Sequence, residues 1–237
     1  MNMLPAAVLA GGLATRLRPL SEKLPKSLLP VAGQPFIRWQ LRLLAQQGVT
    51  EAVLCVGHLG EQIRAEVGDG TGCGMTIRYS FDGETLLGTG GALRRAAPLL
   101  GEAFFVLYGD SYLPCSFAAV QRTFAASGAR ALLTVFRNED RWERSNVLFH
   151  EGRIVEYNKR TPSAGMAHVD FGLSVVTAGV LERYRTGDAF DLADLYRELS
   201  LQGELAGLEV TERFYEVGSR QGIRATERYL RRQGNAT

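Results

Sequence analysis

Short apolar runs alternate with stretches of helical apolar spacing over the first 135 residues. Apolar runs of four to eight residues bounded by glycine or polar residues are typical of buried strands, and apolar residues three and four positions apart are typical of helices. This pattern predicts five strands, at residues 6–9, 52–56, 75–80, 104–108 and 131–135. It also predicts four helices, at residues 36–47, 61–67, 91–100 and 117–126.

Strands that alternate with helices predict an α/β fold with a mainly parallel central sheet that is covered on both faces. In such sheets, ligands bind beyond the carboxyl ends of the strands. The glycine-rich segment 11–18 follows the first predicted strand, and Asp110 follows the strand at 104–108. We therefore expect both of them at the ligand-binding edge of the sheet.

The pattern changes after about residue 135. Residues 147–150 and 153–157, separated by Glu151 and Gly152, predict a β-hairpin. The elements predicted after it are a strand at 169–176, helices at 178–184 and 192–202, short strands at 208–210 and 214–217, and a helix at 220–232. Since no repeat or low-complexity linker interrupts the chain, we expect a single domain over residues 1–237, with one part at about 1–135 and another at about 136–237.

Composition and net charge restrict the kinds of binding partner and the cellular compartment that we expect. The chain is 46% apolar and 22% charged, which is ordinary for a globular protein. Its net charge of +2 provides no strong field, so we expect neither nucleic acid nor a membrane as its main partner. Cys55, Cys73 and Cys115 lack a paired spacing and are expected to be buried thiols in a reducing compartment. Because no apolar run is long enough to span a bilayer, we expect a cytoplasmic protein.

The segment after the first predicted strand combines glycines with cations. Gly11 and Gly12 allow a tight turn and a close approach of the backbone to a ligand, which exposes N–H donors to phosphate oxygens. Arg16 and Arg18 add guanidinium groups, which pair well with phosphate, and Lys26 follows a proline as a third cation. The residues alone therefore predict an anion-binding turn.

Two common phosphate loops are excluded by spacing. The Gly-x-x-x-x-Gly-Lys-Ser/Thr pattern of P-loop proteins is absent, and Gly11-Gly12 is not followed by the Gly-x-x-Gly of a dinucleotide-binding turn. The second predicted strand ends in Cys55-Val56-Gly57 rather than in an acidic residue. Both features argue against a nicotinamide-dependent oxidoreductase.

The segment Leu-Ala-Gly-Gly-Leu-Ala-Thr-Arg-Leu-Arg-Pro-Leu at residues 9–20, with Pro25-Lys26 after it, resembles the signature of the sugar-1-phosphate nucleotidyltransferases. Five further segments extend the resemblance through most of the chain: Gly88-Thr89-Gly90-Gly91-Ala92, Tyr108-Gly109-Asp110, Glu156-Tyr157-Asn158-Lys159, Phe171-Gly172-Leu173 and Phe214-Tyr215-Glu216-Val217-Gly218. The resemblance implies a Rossmann-like three-layer α/β/α fold with a small β-hairpin and sugar-binding region. It also implies transfer of a nucleotidyl group from a nucleoside triphosphate to a sugar 1-phosphate, with release of pyrophosphate.

The resemblance assigns site residues in four groups. The nucleotide-binding residues it implies are Leu9, Ala10, Gly11, Gly12, Thr15, Arg16, Lys26, Gly88, Thr89, Gly90 and Gly91. The sugar-phosphate-binding residues are Asn158, Lys159, Asp170 and Gly172, and the catalytic residues are Arg16, Lys26, Asp110 and Lys159. Asp110 and Glu216 are the implied ligands of Mg²⁺, a hard cation that prefers oxygen ligands.

Two positions depart from the family pattern. Asn158 stands where the family usually has an acidic residue, and Glu216 stands where many members have Asp. The glycine segment at 88–91 and the length of the chain most resemble D-glycero-α-D-manno-heptose 1-phosphate and mannose 1-phosphate guanylyltransferases. Uridylyltransferases acting on N-acetylmuramate or glucose 1-phosphate are the alternative, and a non-catalytic nucleotide-binding relative is another.

Overall fold

The computed structural model describes residues 2–12, 23–138, 140–141 and 144–234. The strands in these residues are β1 Ala6–Leu9, β2 Pro30–Val31, β3 Gln34–Pro35, β4 Glu51–Val56, β5 Thr76–Phe81, β6 Ala103–Tyr108, β7 Ser111–Tyr112, β8 Ala131–Arg137, β9 Val147–His150, β10 Arg153–Tyr157, β11 His168–Thr177, β12 Leu205–Val210 and β13 Tyr215–Glu216. The α-helices are α1 Phe36–Gln46, α2 Gly60–Val67, α3 Gly88–Ala96, α4 Phe117–Ser127, α5 Leu192–Leu201 and α6 Arg220–Gly234.

Nine strands form one sheet in the order β5-β4-β1-β6-β11-β8-β12-β10-β9. The four strands β5, β4, β1 and β6 pair in parallel, and so do β8 and β12. In contrast, β11 is antiparallel to both β6 and β8, and β10 is antiparallel to β12 and β9. The expectation of a mainly parallel sheet is therefore corrected to a mixed sheet. An apolar run that is buried on both faces has the same pattern in either direction, so the sequence did not indicate the reversal of β11.

Helices cover both faces of this sheet, as expected for a three-layer α/β arrangement. Side chains alternate along β1, and Val8 lies in a buried cluster with Leu41 of α1. Its neighbour Ala7 lies in a second cluster, on the opposite face, with Leu93 of α3 and Leu195 of α5. Burial of one large aliphatic side chain stabilises the fold by about 1.5–3 kcal/mol, so the two clusters together hold the helices on the sheet.

Local sequence determines most of α1. Ile37, Leu41 and Leu44 are buried at helical spacing, and they form the face that packs on the sheet. Gly48 has a φ of +84°, the left-handed backbone conformation that commonly ends a helix. The predicted helix at 36–47 is confirmed to within one residue.

Two predicted helices differ from those observed. The residues predicted as a helix at 178–184 form one short 3-10 turn, Ala178–Leu181. The helix α3 begins at Gly88, three residues before the predicted start. The backbone carbonyl of Phe190 accepts hydrogen bonds from the N–H groups of Gly90 and Gly91, at 2.9 and 3.4 Å. The first turn of α3 is thus stabilised by a segment about a hundred residues later, which no local pattern predicts.

The last segment of the chain returns to β7, the short strand that follows Asp110. Tyr215 and Glu216 of β13 pair with Tyr112 and Ser111 of β7 in a small antiparallel ladder. The amphipathic helix α6 buries Leu230 in a cluster that also contains residues of α1 and β7. None of the helices in the described residues is both long and apolar enough to cross a membrane.

Candidate active site

The four adjacent parallel strands end at one edge of the sheet, where the segments that follow them surround a cavity of about 220 Å³. Gly11 follows β1, Asp82 follows β5 and Asp110 follows β6. The cavity is lined by Leu9, Ala10, Gly11, Gly12, Lys26, Ser27, Cys55, Asp82, Leu86, Gly88, Thr89, Ala92, Tyr108, Gly109 and Asp110. This is the edge at which open α/β sheets bind ligands.

Glycines allow the strand ends to approach each other closely. A Cβ atom on Gly11 would lie 3.0 Å from the backbone nitrogen of Gly57, which follows β4. A Cβ atom on Gly109 would lie 2.8 Å from Cβ of Ala10. Side chains at Gly11 or Gly109 would therefore push the loops apart, whereas a Cβ atom on Gly12 would have no neighbour within 4 Å among the described residues. Gly12 lines the cavity without this constraint.

Lys26 and Asp110 meet at this cavity. Lys26 opens a short 3-10 turn after the extended residue Pro25, and its Nζ lies 3.0 Å from Asp110 Oδ2. Both side chains remain about a quarter exposed, at 26% and 28%. The pair combines one positive and one negative charge at a surface that a ligand can reach. It brings together two residues that the sequence predicted as catalytic.

Gln40 of α1 supports the turn that carries Asp110. Its side chain is fully buried, and its Nε2 donates hydrogen bonds to the carbonyl oxygens of Tyr108 and Ser111, at 2.6 and 2.7 Å. Gln40 thus connects the backbone on both sides of Asp110 to the core. The predicted core face of α1 contained no signal for this role, because the sequence does not show which turn the side chain reaches.

Glu216 lies beside Asp110. The N–H of Val217 donates to the carbonyl oxygen of Asp110 at 2.9 Å. The Glu216 carboxylate accepts hydrogen bonds from Gly218 N–H at 2.6 Å and from Ser219 Oγ at 2.9 Å. A Cβ atom on Gly218 would collide with Glu216 Oε2 and lie 3.5 Å from Asp110 Oδ2. The two carboxylates predicted to bind a metal are therefore neighbours, separated by a glycine.

The residues at 88–91 line the cavity or make room for the segment 188–190, and Gly88 does both, because a Cβ atom on it would collide with the backbone oxygen of Phe190. Gly88 and Thr89 line the cavity. A Cβ atom on Gly90 would collide with the Phe190 ring, and one on Gly91 with the backbone oxygen of Asp188. Those two glycines make room for the segment 188–190, which packs against the start of α3. Their predicted contact with a nucleotide stays a prediction, while their place in the packing is evident.

Asp170 and Gly172 occupy an irregular part of β11. The register with β8 shifts between Asp170 and Ser174, and Gly172 has a φ of +100°. Asp170 Oδ1 accepts the N–H of Gly172 at 2.8 Å, and its Oδ2 accepts the hydroxyl of Tyr157 at 3.3 Å. Burial raises the pKa of the Asp170 carboxyl, although Lys159, Gly172 and Tyr157 each act to lower it.

Tyr108 separates the cavity from this second group of residues. It lines the cavity, and Nζ of Lys159 lies 5.9 Å from the centre of its ring. Asn158 is buried, and its side chain is occupied within its own loop: Nδ2 donates to Glu156 at 3.2 Å, and Oδ1 accepts Thr161 N–H at 3.0 Å. The predicted sugar-phosphate residues Lys159, Asp170 and Gly172 thus lie together near Tyr108, and Asn158 stabilises the loop that carries Lys159.

The remaining predictions concern other positions. Thr15 and Arg16, predicted to bind nucleotide, lie outside the described residues, as does Arg18. Leu9 and Ala10 line the cavity as expected. The residues that the sequence interpretation missed are Ser27, Cys55, Asp82 and Leu86, which line the cavity, and Gln40 beneath it. Asp82 had a usable signal, since it comes shortly after the strand predicted at residues 75–80, as Asp110 comes shortly after the strand predicted at 104–108.

The fold is an α/β sheet whose carboxyl edge carries a glycine-walled, lysine-bearing cavity, and such a cavity can accept an anionic ligand. The profile of the nucleotidyl transferase family matches residues 5–146, which is more than half of the chain. The chain belongs to this family, and the predicted relationship to the sugar-1-phosphate nucleotidyltransferases is confirmed.

Relatives within the family differ in the substrates that their names give. The chain is 43% identical over 119 residues to an N-acetylmuramate alpha-1-phosphate uridylyltransferase of Neisseria meningitidis serogroup B, covering 50% of this chain and 52% of that protein. It is 30% identical over 236 residues to a glucose-1-phosphate thymidylyltransferase of Streptomyces antibioticus, covering 97% of this chain and 62% of that protein. The chain thus spans little more than half the length of these relatives.

A solved structure supports the fold. HddC from Yersinia pseudotuberculosis is 19% identical, with a TM-score of 0.80, and the match covers 96% of this chain and 100% of that one. At this identity the similarity shows a shared α/β fold.

Proposed function

We propose that the protein transfers a nucleotidyl group from a nucleoside triphosphate to a sugar 1-phosphate, giving a nucleoside diphosphate sugar and pyrophosphate. The observation that carries the proposal is the Lys26–Asp110 pair, at 3.0 Å, in a glycine-walled cavity at the carboxyl edge of the sheet. The cavity suits a triphosphate, because its glycines expose backbone N–H donors without steric bulk and its lysine supplies a positive charge. Membership of the family supports the same reaction.

We propose that the second substrate, the sugar 1-phosphate, binds on the side of Tyr108 that faces away from the Lys26 cavity. Lys159 carries the positive charge there, and Asp170 and Gly172 supply a carboxylate and an irregular backbone next to it. A sugar phosphate has one anionic group and several hydroxyls, and this combination of a cation with hydrogen-bonding groups suits it. Tyr108 would then stand between the two substrates.

The reaction needs two anions to be held close and in line. An oxygen of the sugar phosphate attacks the α-phosphorus and forms a new P–O bond, and the bond between the α-phosphorus and the bridging oxygen breaks as pyrophosphate leaves with the electron pair. The attacking phosphate is already ionised at neutral pH, so no general base is required. Lys26 offsets charge on the triphosphate, and Lys159 holds the attacking phosphate, so the protein contributes positioning and electrostatic stabilisation. Arg16 is proposed to assist Lys26.

The residues near Asp110 fit a magnesium ion. Mg²⁺ is usually held by one or two carboxylates together with water and substrate phosphates, and not by a complete cage of protein ligands. Asp110 and Glu216 offer two neighbouring carboxylates, and the described residues contain no cluster of three or more His, Cys, Asp or Glu side chains that could bind a metal alone. When bound there, Mg²⁺ would neutralise phosphate charge during the displacement.

As substrates we favour guanosine triphosphate together with D-glycero-α-D-manno-heptose 1-phosphate or mannose 1-phosphate. A mannose-1-phosphate guanylyltransferase of Mycobacterium tuberculosis, 30% identical over 206 residues, supports this choice. Uridylyl transfer to N-acetylmuramate or glucose 1-phosphate is the alternative, supported by the relative from Neisseria meningitidis.

The test is pyrophosphate release, measured with each nucleoside triphosphate against hexose, N-acetylmuramate and heptose 1-phosphates, with magnesium present. We expect turnover with at least one pair. Lys159→Ala should raise KM for the sugar phosphate and leave nucleotide affinity near that of the unmodified protein. Lys23→Ala, which removes an exposed lysine outside the cavity, is the control. Nucleotide binding without pyrophosphate release from any pair would instead support a non-catalytic nucleotide-binding relative.

A further inference from the structure

Asp82 is a buried carboxylate that the proposed reaction does not use. It follows β5, lines the cavity and is 6% exposed. Its Oδ2 accepts the N–H of Leu87 at 3.3 Å, and a Cβ atom on Gly11 would lie 3.4 Å from the same oxygen. Asp82 therefore lies directly beneath the glycine loop that forms one wall of the cavity.

Asp82 forms no salt bridge in the part of the chain that the structure describes, although the charge of Arg95 acts to lower the pKa of its carboxyl, which burial raises. Arg95 is the nearby cation, but its Nη1 donates to the backbone carbonyls of Phe81 and Asp82, both at 2.8 Å. Within the same residues, Oδ1 of Asp82 makes no hydrogen bond, so it is available as an acceptor. A carboxylate oxygen that has no protein donor and belongs to a residue lining the cavity suits a ligand that supplies an N–H or O–H group.

The charges in the cavity orient a nucleotide. Lys26 attracts phosphate on one side, whereas the Asp82 carboxylate would repel it on the other. The triphosphate therefore belongs near Lys26, and the neutral base belongs near Asp82. Cys55 and Leu86 line the cavity together with Asp82, and burial raises the pKa of the Cys55 thiol to about 12, so this thiol adds no second negative charge.

We infer that Asp82 selects the base of the nucleotide by accepting a hydrogen bond from a ring N–H. The nucleotide would then contain guanine, uracil or thymine, and not adenine or cytosine. This inference rests on the proposed function, because it assumes that the cavity binds a nucleotide. It adds the class of base, which neither the glycine loop nor Lys26 can distinguish.

The donor pattern of the bases gives the physical reason. Guanine carries a hydrogen on ring N1, and uracil and thymine carry one on N3, whereas the corresponding nitrogens of adenine and cytosine have lone pairs. A lone pair facing the Asp82 carboxylate would be repelled, and Oδ1 would be covered by the base without gaining a donor. Guanine also has an amino group beside N1–H, so a carboxylate can accept two parallel hydrogen bonds from it. Guanine is therefore expected to bind most tightly.

Binding of nucleotides in the absence of sugar phosphate tests the inference. Calorimetric titration of the full chain with GTP, UTP, dTTP, ATP and CTP should give a Kd for the best ring N–H nucleotide about 10- to 100-fold below those of ATP and CTP, as expected when a buried group loses its partner. N1-methyl-GTP and N3-methyl-UTP, which lack the ring hydrogen, should lose the same factor. The methylated nucleotides test the unmodified protein, so this result does not depend on a variant that folds.

Two variants assign the effect to Asp82. Asp82→Asn can donate as well as accept, so the preference over ATP and CTP should shrink to within about 3-fold if one hydrogen bond carries it. Glu84→Gln removes an exposed carboxylate two residues away and should leave the preference unchanged. Thermal unfolding of both variants checks that they fold.

The outcomes separate this inference from the proposed function. Equal binding of all five triphosphates, unaltered binding of the methylated nucleotides, or no nucleotide binding would overturn the role of Asp82. Pyrophosphate release with all five triphosphates alike would leave the proposed reaction standing without base selection by Asp82. Selective binding that depends on Asp82, without pyrophosphate release from any sugar phosphate, would support base reading and reject the proposed reaction.

Discussion

Lys26 Nζ lies 3.0 Å from Asp110 Oδ2, although the two residues are 84 positions apart in the sequence. Their ion pair balances the charge of the cavity edge before any substrate binds. A phosphate or a metal ion that enters there must compete with this pair, because each would take one of its members. We therefore expect the Lys26–Asp110 ion pair to break or rearrange when a phosphate or a metal ion binds.

Replacing either member should reduce activity far more than stability. Lys26→Ala or Asp110→Ala is expected to lower the rate of pyrophosphate release by about 100-fold or more, since one fixed electrostatic contact at a reacting group has that effect. A partly exposed ion pair contributes at most about 1 kcal/mol, so the melting temperature should change by only about 2–4 °C. Pyrophosphate release and thermal unfolding measure the two effects.

The exposed pair of Arg78 and Glu51, at 2.9 Å, provides the control. Arg78→Ala also removes a cation from an ion pair, but far from the cavity, and should leave both rate and melting temperature nearly unchanged. Normal turnover in Lys26→Ala or Asp110→Ala would show that the residue replaced is not catalytic.

Gln40→Met is expected to loosen the turn around Asp110. It removes the hydrogen bonds to Tyr108 O and Ser111 O with little change of volume, so it should cost about 1–3 kcal/mol. Because Asp110 would be held less firmly, kcat should fall more than KM changes. Urea unfolding and steady-state kinetics give the two quantities. Gln46→Met, at an exposed position of the same helix, is the control; equal kinetics in the two variants would exclude a positioning role for Gln40.

Gly91→Ala should disturb the wall of the cavity. Its Cβ would collide with the backbone oxygen of Asp188, so the segment 188–190 must shift, at a cost of about 1–3 kcal/mol. Thr89 would move with it, because its hydroxyl contacts both Asp191 and Leu192. We expect a lower melting temperature and weaker nucleotide binding.

Gly72→Ala is the matched glycine control for that variant. In the part of the chain that the structure describes, a Cβ atom at Gly72 would have no neighbour within 4 Å, and the stability should therefore stay within about 0.5 kcal/mol of the unmodified protein. If Gly91→Ala melts at the same temperature as Gly72→Ala, the contact with Asp188 does not constrain position 91.

Asp170→Asn should alter the dependence of stability on pH. Burial raises the pKa of Asp170 above 3.8, so the folded state binds this proton more tightly than the unfolded state does. The contribution of Asp170 to the free energy of unfolding is therefore present below its unfolded pKa and is lost as pH rises through its folded pKa. Urea unfolding between pH 4 and 8 should show that Asp170→Asn gains stability relative to the unmodified protein as pH rises through that raised pKa.

Asp69→Asn is the control of opposite sign. The N–H of Thr71 lowers the pKa of Asp69, an exposed carboxylate, so the stability it contributes is lost as pH falls through its folded pKa. Relative to the unmodified protein, Asp69→Asn should therefore lose stability as pH rises from that lowered pKa through 3.8, so urea unfolding of this variant is measured at about pH 2 to 5. A pH profile of Asp170→Asn that changes in the same direction as that of Asp69→Asn would contradict the raised pKa of Asp170.

The sequence by itself determined the elements and the main anion-binding segment. The apolar runs that became β1, β4 and β6, and the apolar face of α1, are local patterns, because burial imposes a period on neighbouring residues. The position of Asp110 at the end of an apolar run was visible for the same reason. The association of Lys26 with Asp110 came from a family resemblance, since no local pattern connects residues so far apart.

Tertiary structure decided which distant groups meet. The antiparallel insertion of β11 between β6 and β8 places Asp170 near Tyr108 and Lys159, and strand order places Asp82 beneath Gly11. The carbonyl of Phe190 determines where α3 begins, and Gln40 reaches a turn about seventy residues away. Pairing direction, strand order and buried polar contacts depend on the packing of segments far apart in sequence, so the apolar pattern of any one segment is compatible with several arrangements.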